Sequence, residues 1–283
     1  MLKKGGFKMN QIKKCFTVTV LRSKEDIKKA IDLLVDSKIY AGCELFYPYD
    51  VSDEVYNNYE ESIKGFLKYP DFEVVLHLPY GPKNNIASYN NLEFVMNRLK
   101  KAIDFAAKYH ANGVTLHPGE LDGSLSRKEA LDLAAESTKI LAEYASQYNI
   151  DIMVENMIGA HELCLTIEEM KYLQEKVNMK NVGITLDCGH YHASHQTDEP
   201  VKDLVKYVET FKDKIMHLHL HDNHGERDEH MQLGLGTIDF NSYFSALKNA
   251  GFSRLYGSEV LFKDYSELLT TSKKIDEFNG KIY

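Results

Sequence analysis

Val182-Gly183-Ile184-Thr185-Leu186-Asp187-Cys188-Gly189-His190 is a short apolar, β-rich run that stops on an acid and passes into a polar segment. Seven other segments read the same way: Phe16–Val20, Tyr40–Phe46, Phe72–Leu78, Gly113–Leu116, Ile150–Val154, Ile215–Leu220 and Leu255–Ser258. With Val182–Leu186 they have the composition of parallel strands covered on both faces. Amphipathic stretches lie between them. The clearest places Leu92, Val95, Met96, Leu99, Ile103 and Ala106 on one helical face. Ser126 with Glu129 and Thr166 with Glu169 have capping-box spacing, and Asp239 is placed to cap a helix running to Ala250. Strand-then-helix units repeated along the whole chain predict an α/β protein folded as a single (β/α)8 TIM barrel. The competing arrangement is an open doubly wound sheet, but no Gly-x-Gly-x-x-Gly loop follows the first strand. No Gly/Pro/Ser-rich linker divides the chain, so residues 15–283 are expected to form one domain behind a flexible N-terminal tail, residues 1–14.

The chain has 283 residues, of which 43% are hydrophobic and 27% charged, with a formal charge of −8. This balance excludes a disordered or low-complexity chain and argues against a broad basic surface for nucleic acid or anionic membrane. The four cysteines have no paired spacing and are expected as free thiols of a reducing compartment. No apolar run approaches ~18 residues, so no membrane span is expected. The segment Met1 to Lys14 carries five lysines without an apolar stretch, unlike a secretory signal. A cytoplasmic location follows as the expectation. The unusual count is histidine: 12 in all, eight of them between His190 and His230.

In a (β/α)8 barrel the chemistry sits at the C-terminal ends of the strands. The third strand ends in His77, the fourth in Leu116-His117-Pro118-Gly119 and the fifth in Val154-Glu155-Asn156. The sixth ends at Asp187, three residues before His190. The seventh runs through His217-Leu218-His219-Leu220-His221-Asp222-Asn223 toward Asp228-Glu229-His230, and the eighth ends at Glu259. Any one of these residues alone would read as a hydrogen-bonded core histidine or a helix cap. Together they converge on one rim. Glu155, Asp187, Asp228 and Glu259 would set four carboxylates around one barrel mouth, where a pair about 4 Å apart repels by ~4 kcal/mol at an effective dielectric of about 20. Divalent cations remove that conflict, and neutral imidazoles supply the remaining ligands. The mixed donor set suits zinc or manganese, one to three ions per chain. His217, His219 and His221 share a face if the strand is regular, so a bulge or the strand's end must separate them. His192, His195 and His224 are expected in loops, and His110 and His161 have no assigned role. Glu44 is expected to cap the helix after the second strand, and Tyr80 and Lys83 to lie on the rim.

These segments, with Gly234-Leu235-Gly236-Thr237-Ile238-Asp239, resemble the xylose isomerase-like barrel superfamily, which includes endonuclease IV and many sugar-phosphate isomerases and epimerases. By its likeness to endonuclease IV, His77, His117 and Glu155 would hold one ion. Glu155, Asp187, His219 and Glu259 would hold a second, and His190, Asp228 and His230 a third. That branch implies a phosphodiesterase acting at abasic sites through a trinuclear zinc centre, with nucleic acid as its partner. The resemblance to the epimerases implies one divalent ion on Glu155, Asp187, His219 and Glu259. There Glu155 and Glu259 would be the catalytic acid and base, moving a proton through a metal-stabilised enediolate. His190, Arg227 and Tyr80 would then contact a small sugar or sugar-phosphate substrate.

The endonuclease's Gly-Ala-His-Val-Ser near strand one is replaced by Val18-Thr19-Val20-Leu21-Arg22, and its Asp-Thr-Cys-His by Asp187-Cys188-Gly189-His190. Its Leu-Asn-Asp after the strand-seven histidine is replaced by Leu220-His221-Asp222. The isomerase/epimerase reading is therefore preferred, with the endonuclease IV-like phosphodiesterase as the alternative. A non-catalytic, metal-dependent sugar-binding barrel is the third.

Overall fold

The structure, a computed structural model, describes residues 12–194 and 203–280. Its strands are β1 (Lys13–Val18), β2 (Gly42–Phe46), β3 (Glu73–His77), β4 (Gly113–Leu116), β5 (Asp151–Glu155), β6 (Val182–Asp187), β7 (Ile215–Leu220) and β8 (Leu255–Ser258). They pair in sequence order and β8 closes on β1, all parallel, giving the (β/α)8 barrel. The helices between them include α1 (Lys24–Ala30), α2 (Asp53–Ile63), α3 (Leu92–Lys108), α4 (Arg127–Ser146), α5 (Ile167–Val177), α6 (Cys188–Ala193), α7 (Leu204–Phe211), α8 (Phe240–Asn249) and α9 (Leu268–Phe278).

The sequence signals act locally as read, with informative exceptions. Ser126 and Glu129 form a full capping box at α4. Thr166 caps α5 by accepting from the Glu169 amide, but the Glu169 carboxylate turns away to Arg127 and the Leu165 amide. Asp239 caps α8. At the N-terminus the boundary moves. Lys13 and Lys14, expected in a flexible tail, are the first residues of β1, and β1 ends at Val18 rather than Val20. Lys14 is buried, its Nζ 2.7 Å from Asp276 Oδ2 and 2.6 Å from Ser272 Oγ of α9. Residues 1–11 lie outside the described residues. Cys15, Cys43, Cys164 and Cys188 are all free and buried. No helix among the described residues is long and apolar enough to cross a membrane.

Alternation along the strands builds the barrel interior in layers. Cys15, Val75, Met153, Met216 and Leu255 form an apolar plug at the floor, apart from the main core between strands and helices. Above it lie Glu44, Thr115, Thr185 and His217. Thr115 donates to Glu44 Oε1 at 2.7 Å and stands 3.2 Å from Thr185. Toward the mouth come His117, Asp187 and His219, two residues beyond Thr115, Thr185 and His217; His77 and Glu155, two beyond Val75 and Met153 of the floor; and Glu259, just past β8. In β7 the pairing with β6 skips a residue, Ile184 facing Ile215 while Thr185 faces His217. This bulge lets the neighbours Met216 and His217 both fill the interior. Gly183 leaves the room required, since a Cβ there would lie 2.5 Å from Met216 Sδ.

Candidate metal centre

The last inward residues of β3, β5, β6 and β7, with His117 and Glu259 one residue past β4 and β8, arrive at the mouth because the strands stop there. Glu155 is the hub. Its Oε2 lies 3.5 Å from His77 Nε2 and 3.1 Å from His117 Nε2, and its Oε1 lies 2.9 Å from His219 Nδ1. His219 Nδ1 is also 3.7 Å from Asp187 Oδ2 and 3.4 Å from Glu259 Oε2. Two sets therefore share Glu155: His77, His117 and Glu155; and Glu155, Asp187, His219 and Glu259. In each, donor atoms lie within 4.8 Å of one another.

Hydrogen bonding decides what these rings can offer. A carbonyl oxygen only accepts, so a ring nitrogen facing one carries the proton. His77 Nδ1 faces Leu78 O at 2.9 Å, His190 Nδ1 faces Asn156 O at 3.1 Å and His230 Nδ1 faces Glu259 O at 2.7 Å. Neutral rings so held present the Nε2 lone pair to a carboxylate: His77 to Glu155, and His190 and His230 to Asp228 at 3.4 and 2.9 Å. A lone pair facing an anion needs a proton or a cation between them. His219 poses the same demand, caught between Glu155 and Glu44, whose Oε2 is 2.8 Å from its Nε2. Among the described residues the buried Glu155 Oε2 accepts no hydrogen bond, although His117 and His77 Nε2 stand 3.1 and 3.5 Å from it. The donor set fits divalent ions, and backbone carbonyls already orient three of the rings, as is usual behind metal-ligating histidines.

Without an ion, protons do this work. Burial disfavours the charged forms, but His219 and His117 outweigh it and hold the Glu155 carboxyl well below the usual carboxylate range. Burial likewise opposes charge on the rings. Asp187 and Asp228 nevertheless push His190 well up, Glu259 and Glu44 push His219 well up, and Asp228 and Glu259 raise His230 to about 9.

A third group stands beside these. His190, Asp228 and His230 gather with His221, whose Nε2 is 3.0 Å from Asp187 Oδ1 and 3.6 Å from Asp228 Oδ1. The arc carrying Asp228 and His230 is fixed by Asp222, a buried carboxylate that accepts from the amides of Asn223, Gly234, Gly236 and Ile238. A Cβ on Gly236 would lie 2.4 Å from Asp222 Oδ1, so the Gly-x-Gly pattern is what lets this loop wrap a carboxylate. Asn156 and Asp187 exchange bonds through backbone and side chain, locking the ends of β5 and β6 together.

A cavity of about 310 Å³ opens over the centre. It is lined by His77, His117, Glu155, His190, Asp228, His230 and Glu259, with Glu120 and Glu162 at one side and Phe46, Met157 and Ile158 as apolar wall. Tyr80 stands over His77 and His117, with ring centroids 5.0 and 4.8 Å away, and joins the lining. Among the described residues no Lys or Arg lines it. Arg227, expected to bind substrate, is exposed outside the lining because the Asp222-bound loop turns Asp228 inward. Lys83 is exposed as well. His192 bonds Thr237, His224 bonds Glu229 and His161 faces Glu120, while His110 is exposed. His195 lies outside the described residues.

Two residues were misread or missed. Glu44 does not cap α2, which Ser52 caps; it is fully buried in β2 against His217 and His219. His217, His219 and His221 all turn to the interior, the first two along β7 and the third just past its end. His221 was left without a role, although its spacing from His219 already placed it on the same face.

Residues 25–273 match a family model described as xylose isomerase-like TIM barrel. The uncharacterized protein MJ1311 of Methanocaldococcus jannaschii is 27% identical over 226 residues, covering 73% of this chain and 76% of that protein. A probable endonuclease 4 of Mycoplasmopsis pulmonis is 28% identical over 197 residues, covering 64% and 67%. Among solved structures, a D-tagatose 3-epimerase-like protein superposes with a TM-score of 0.75 at 24% identity, covering 93% of this chain and 96% of that one. The IolI protein, solved with a zinc atom, superposes with a TM-score of 0.74 at 18% identity, covering 96% and 99%. At these identities the superpositions show a shared fold.

Proposed function

The chain belongs to the xylose isomerase-like TIM barrel family, and we propose that within it the protein is a divalent-metal-dependent isomerase or epimerase of a small sugar or polyol. The observation that carries this reading is the set Glu155, Asp187, His219 and Glu259 at the base of a cavity of about 310 Å³. That volume sits at the small end of ligand-sized cavities, about 300–1,000 Å³, and is closer to one sugar than to a duplex. The bound ion, zinc or manganese, would supply a Lewis acid that polarises adjacent substrate oxygens. Glu155 and Glu259 would act as base and acid, one taking a proton from the carbon beside the carbonyl and the other protonating the enediolate, on the opposite face of that carbon for epimerisation or at the neighbouring carbon for isomerisation. Phe46, Met157 and Ile158 wall one side against water, and Tyr80 in the lining would contact the substrate, whereas both ring nitrogens of His190 already face Asn156 and Asp228. Five carboxylates and no described Lys or Arg in the lining favour an uncharged polyol over a sugar phosphate.

A second reading is kept because Glu155 is shared. The groups His77–His117–Glu155 and His190–Asp228–His230 exceed what one ion requires and suit a metal-dependent phosphate-ester hydrolase. The deciding experiment incubates the zinc- or manganese-loaded protein in deuterated water with ketoses and inososes, and separately with a duplex containing an abasic site. Deuterium entering the carbon next to a carbonyl, seen by NMR, supports the isomerase reading. Duplex cleavage without exchange in any sugar overturns it.

A further inference from the structure

His221 is enclosed completely, and its surroundings are built for it. A Cβ on residue 189 would lie 1.9 Å from His221 Cε1 and 2.4 Å from its Nδ1, so only glycine at that position admits the ring. The ring stacks on His230 with centroids 4.0 Å apart and planes 22° apart. No backbone carbonyl holds it in the way that carbonyls hold His77, His190 and His230. Among the described residues its Nδ1 has no hydrogen-bond partner, and its Nε2 faces the carboxylates of Asp187 and Asp228.

We propose that His221 is the fourth protein donor of a closed cation site with His190, Asp228 and His230. The inference rests on the reading that the rim groups hold divalent ions. The spacing fits: donors on a tetrahedral zinc with bonds of about 2.0–2.1 Å stand about 3.3 Å apart. Asp228 oxygens lie 3.4 Å from His190 Nε2, 2.9 Å from His230 Nε2 and 3.6 Å from His221 Nε2. Three neutral imidazoles and one carboxylate leave a net single positive charge on such an ion and no open position. A site so closed holds its ion structurally and offers no coordinated water for chemistry. Reactive coordination then belongs to the two groups that share Glu155. The ion held by His221 ties the ends of β6 and β7 to the Asp228–His230 arc and adds a fixed positive charge at the edge of an acidic cavity.

The test is zinc retention by the full chain against increasing chelator, followed by metal analysis, for the wild type, His221→Asn and Asp228→Asn. The wild type is expected to keep one equivalent that Asp228→Asn lacks. His221→Asn should release that equivalent at a chelator concentration about 100-fold lower or less, since even an outer partner of a ligating histidine is worth about 10–100-fold in affinity. If His221→Asn keeps it like the wild type, His221 is not a ligand. If it loosens a different equivalent, one that Glu259→Gln also loosens, the ring merely orients Asp187 and the proposal falls. If wild type and Asp228→Asn hold equal zinc, no ion binds this group; zinc held at the Glu155 groups would still be read separately from Glu259→Gln. Because His221→Asn can fail to fold, the wild type loaded with cobalt(II) gives an independent readout. Intense visible bands of a four-coordinate ion, lost in Asp228→Asn, are expected. Only weak five- or six-coordinate bands would overturn the closed site.

Discussion

His219 Nε2 lies 2.8 Å from Glu44 Oε2, deep in the barrel and out of reach of solvent. A carboxylate there accepts from Nε2–H and leaves the Nδ1 lone pair toward Glu155, so Glu44 selects the tautomer that a ligand must have. Thr115 Oγ1 donates to the other oxygen of Glu44, and His217 Nε2 lies 3.3 Å from Oε2. In Glu44→Gln the side-chain amide can donate to Nε2 and reverse the tautomer. Metal affinity is expected to fall about 10–100-fold, measured by chelator competition. Unchanged affinity would leave Glu44 a purely structural residue.

Glu155→Gln removes a charge shared by two ion groups and one of the two candidate proton carriers. Turnover should drop at least about 100-fold, the lower range for loss of a general acid or base, while far-UV circular dichroism stays native. A rate within a factor of a few of wild type would take Glu155 out of the chemistry.

His230 titrates near 9 in the ion-free chain against an ordinary 6.5. A raised folded value means that the stabilisation is complete below about 6.5 and is lost as the pH climbs to 9. The melting temperature of chelator-treated protein should therefore decline between pH 6.5 and 9. The ion-loaded protein, which needs no ring proton there, should show a flatter profile. A flat profile for the stripped protein would contradict the assignment.

Lys14→Met removes one side of the buried ion pair that joins β1 to α9. Breaking a buried ion pair on one side costs about 3–5 kcal/mol, to be read from urea unfolding. Replacing both partners with apolar residues should recover most of the loss. A small effect of the single change would mean that the pair adds little to stability.

Asp222→Ala removes the acceptor for four backbone amides. A destabilisation of at least ~2 kcal/mol is expected, on the scale of hydrogen bonds to charged groups. The ion at Asp228 and His230 should be lost before those at Glu155, as metal analysis during chelator titration would show. Simultaneous loss would mean that the loop does not set that group.

Most of the barrel was legible because its strands are short, apolar and bounded by polar turns, and strand position alone announces Glu155, Asp187, His77, His117 and Glu259. What stayed hidden depends on pairs far apart in sequence. Glu44 reads as a helix cap until barrel closure brings β2 to His217, 173 residues away. His221 shares a face with His219 by spacing, but the room for its ring comes from the missing side chain of Gly189. Arg227 looked like a substrate contact beside Asp228, but the direction of that loop is set by Asp222, whose role as an amide acceptor no local pattern displays. The Gly234–Asp239 motif marked the family by resemblance, and its physical reason is this same carboxylate.

Glu155 belongs to two donor sets at once, which makes their occupancies linked. An ion drawing Oε1 toward Asp187 and Glu259 fixes where Oε2 stands for His77 and His117, and the reverse holds with the same coupling free energy. The two groups would load as coupled sites, so removing the ion from one half, or exchanging its metal, would shift the affinity of the other by the same factor.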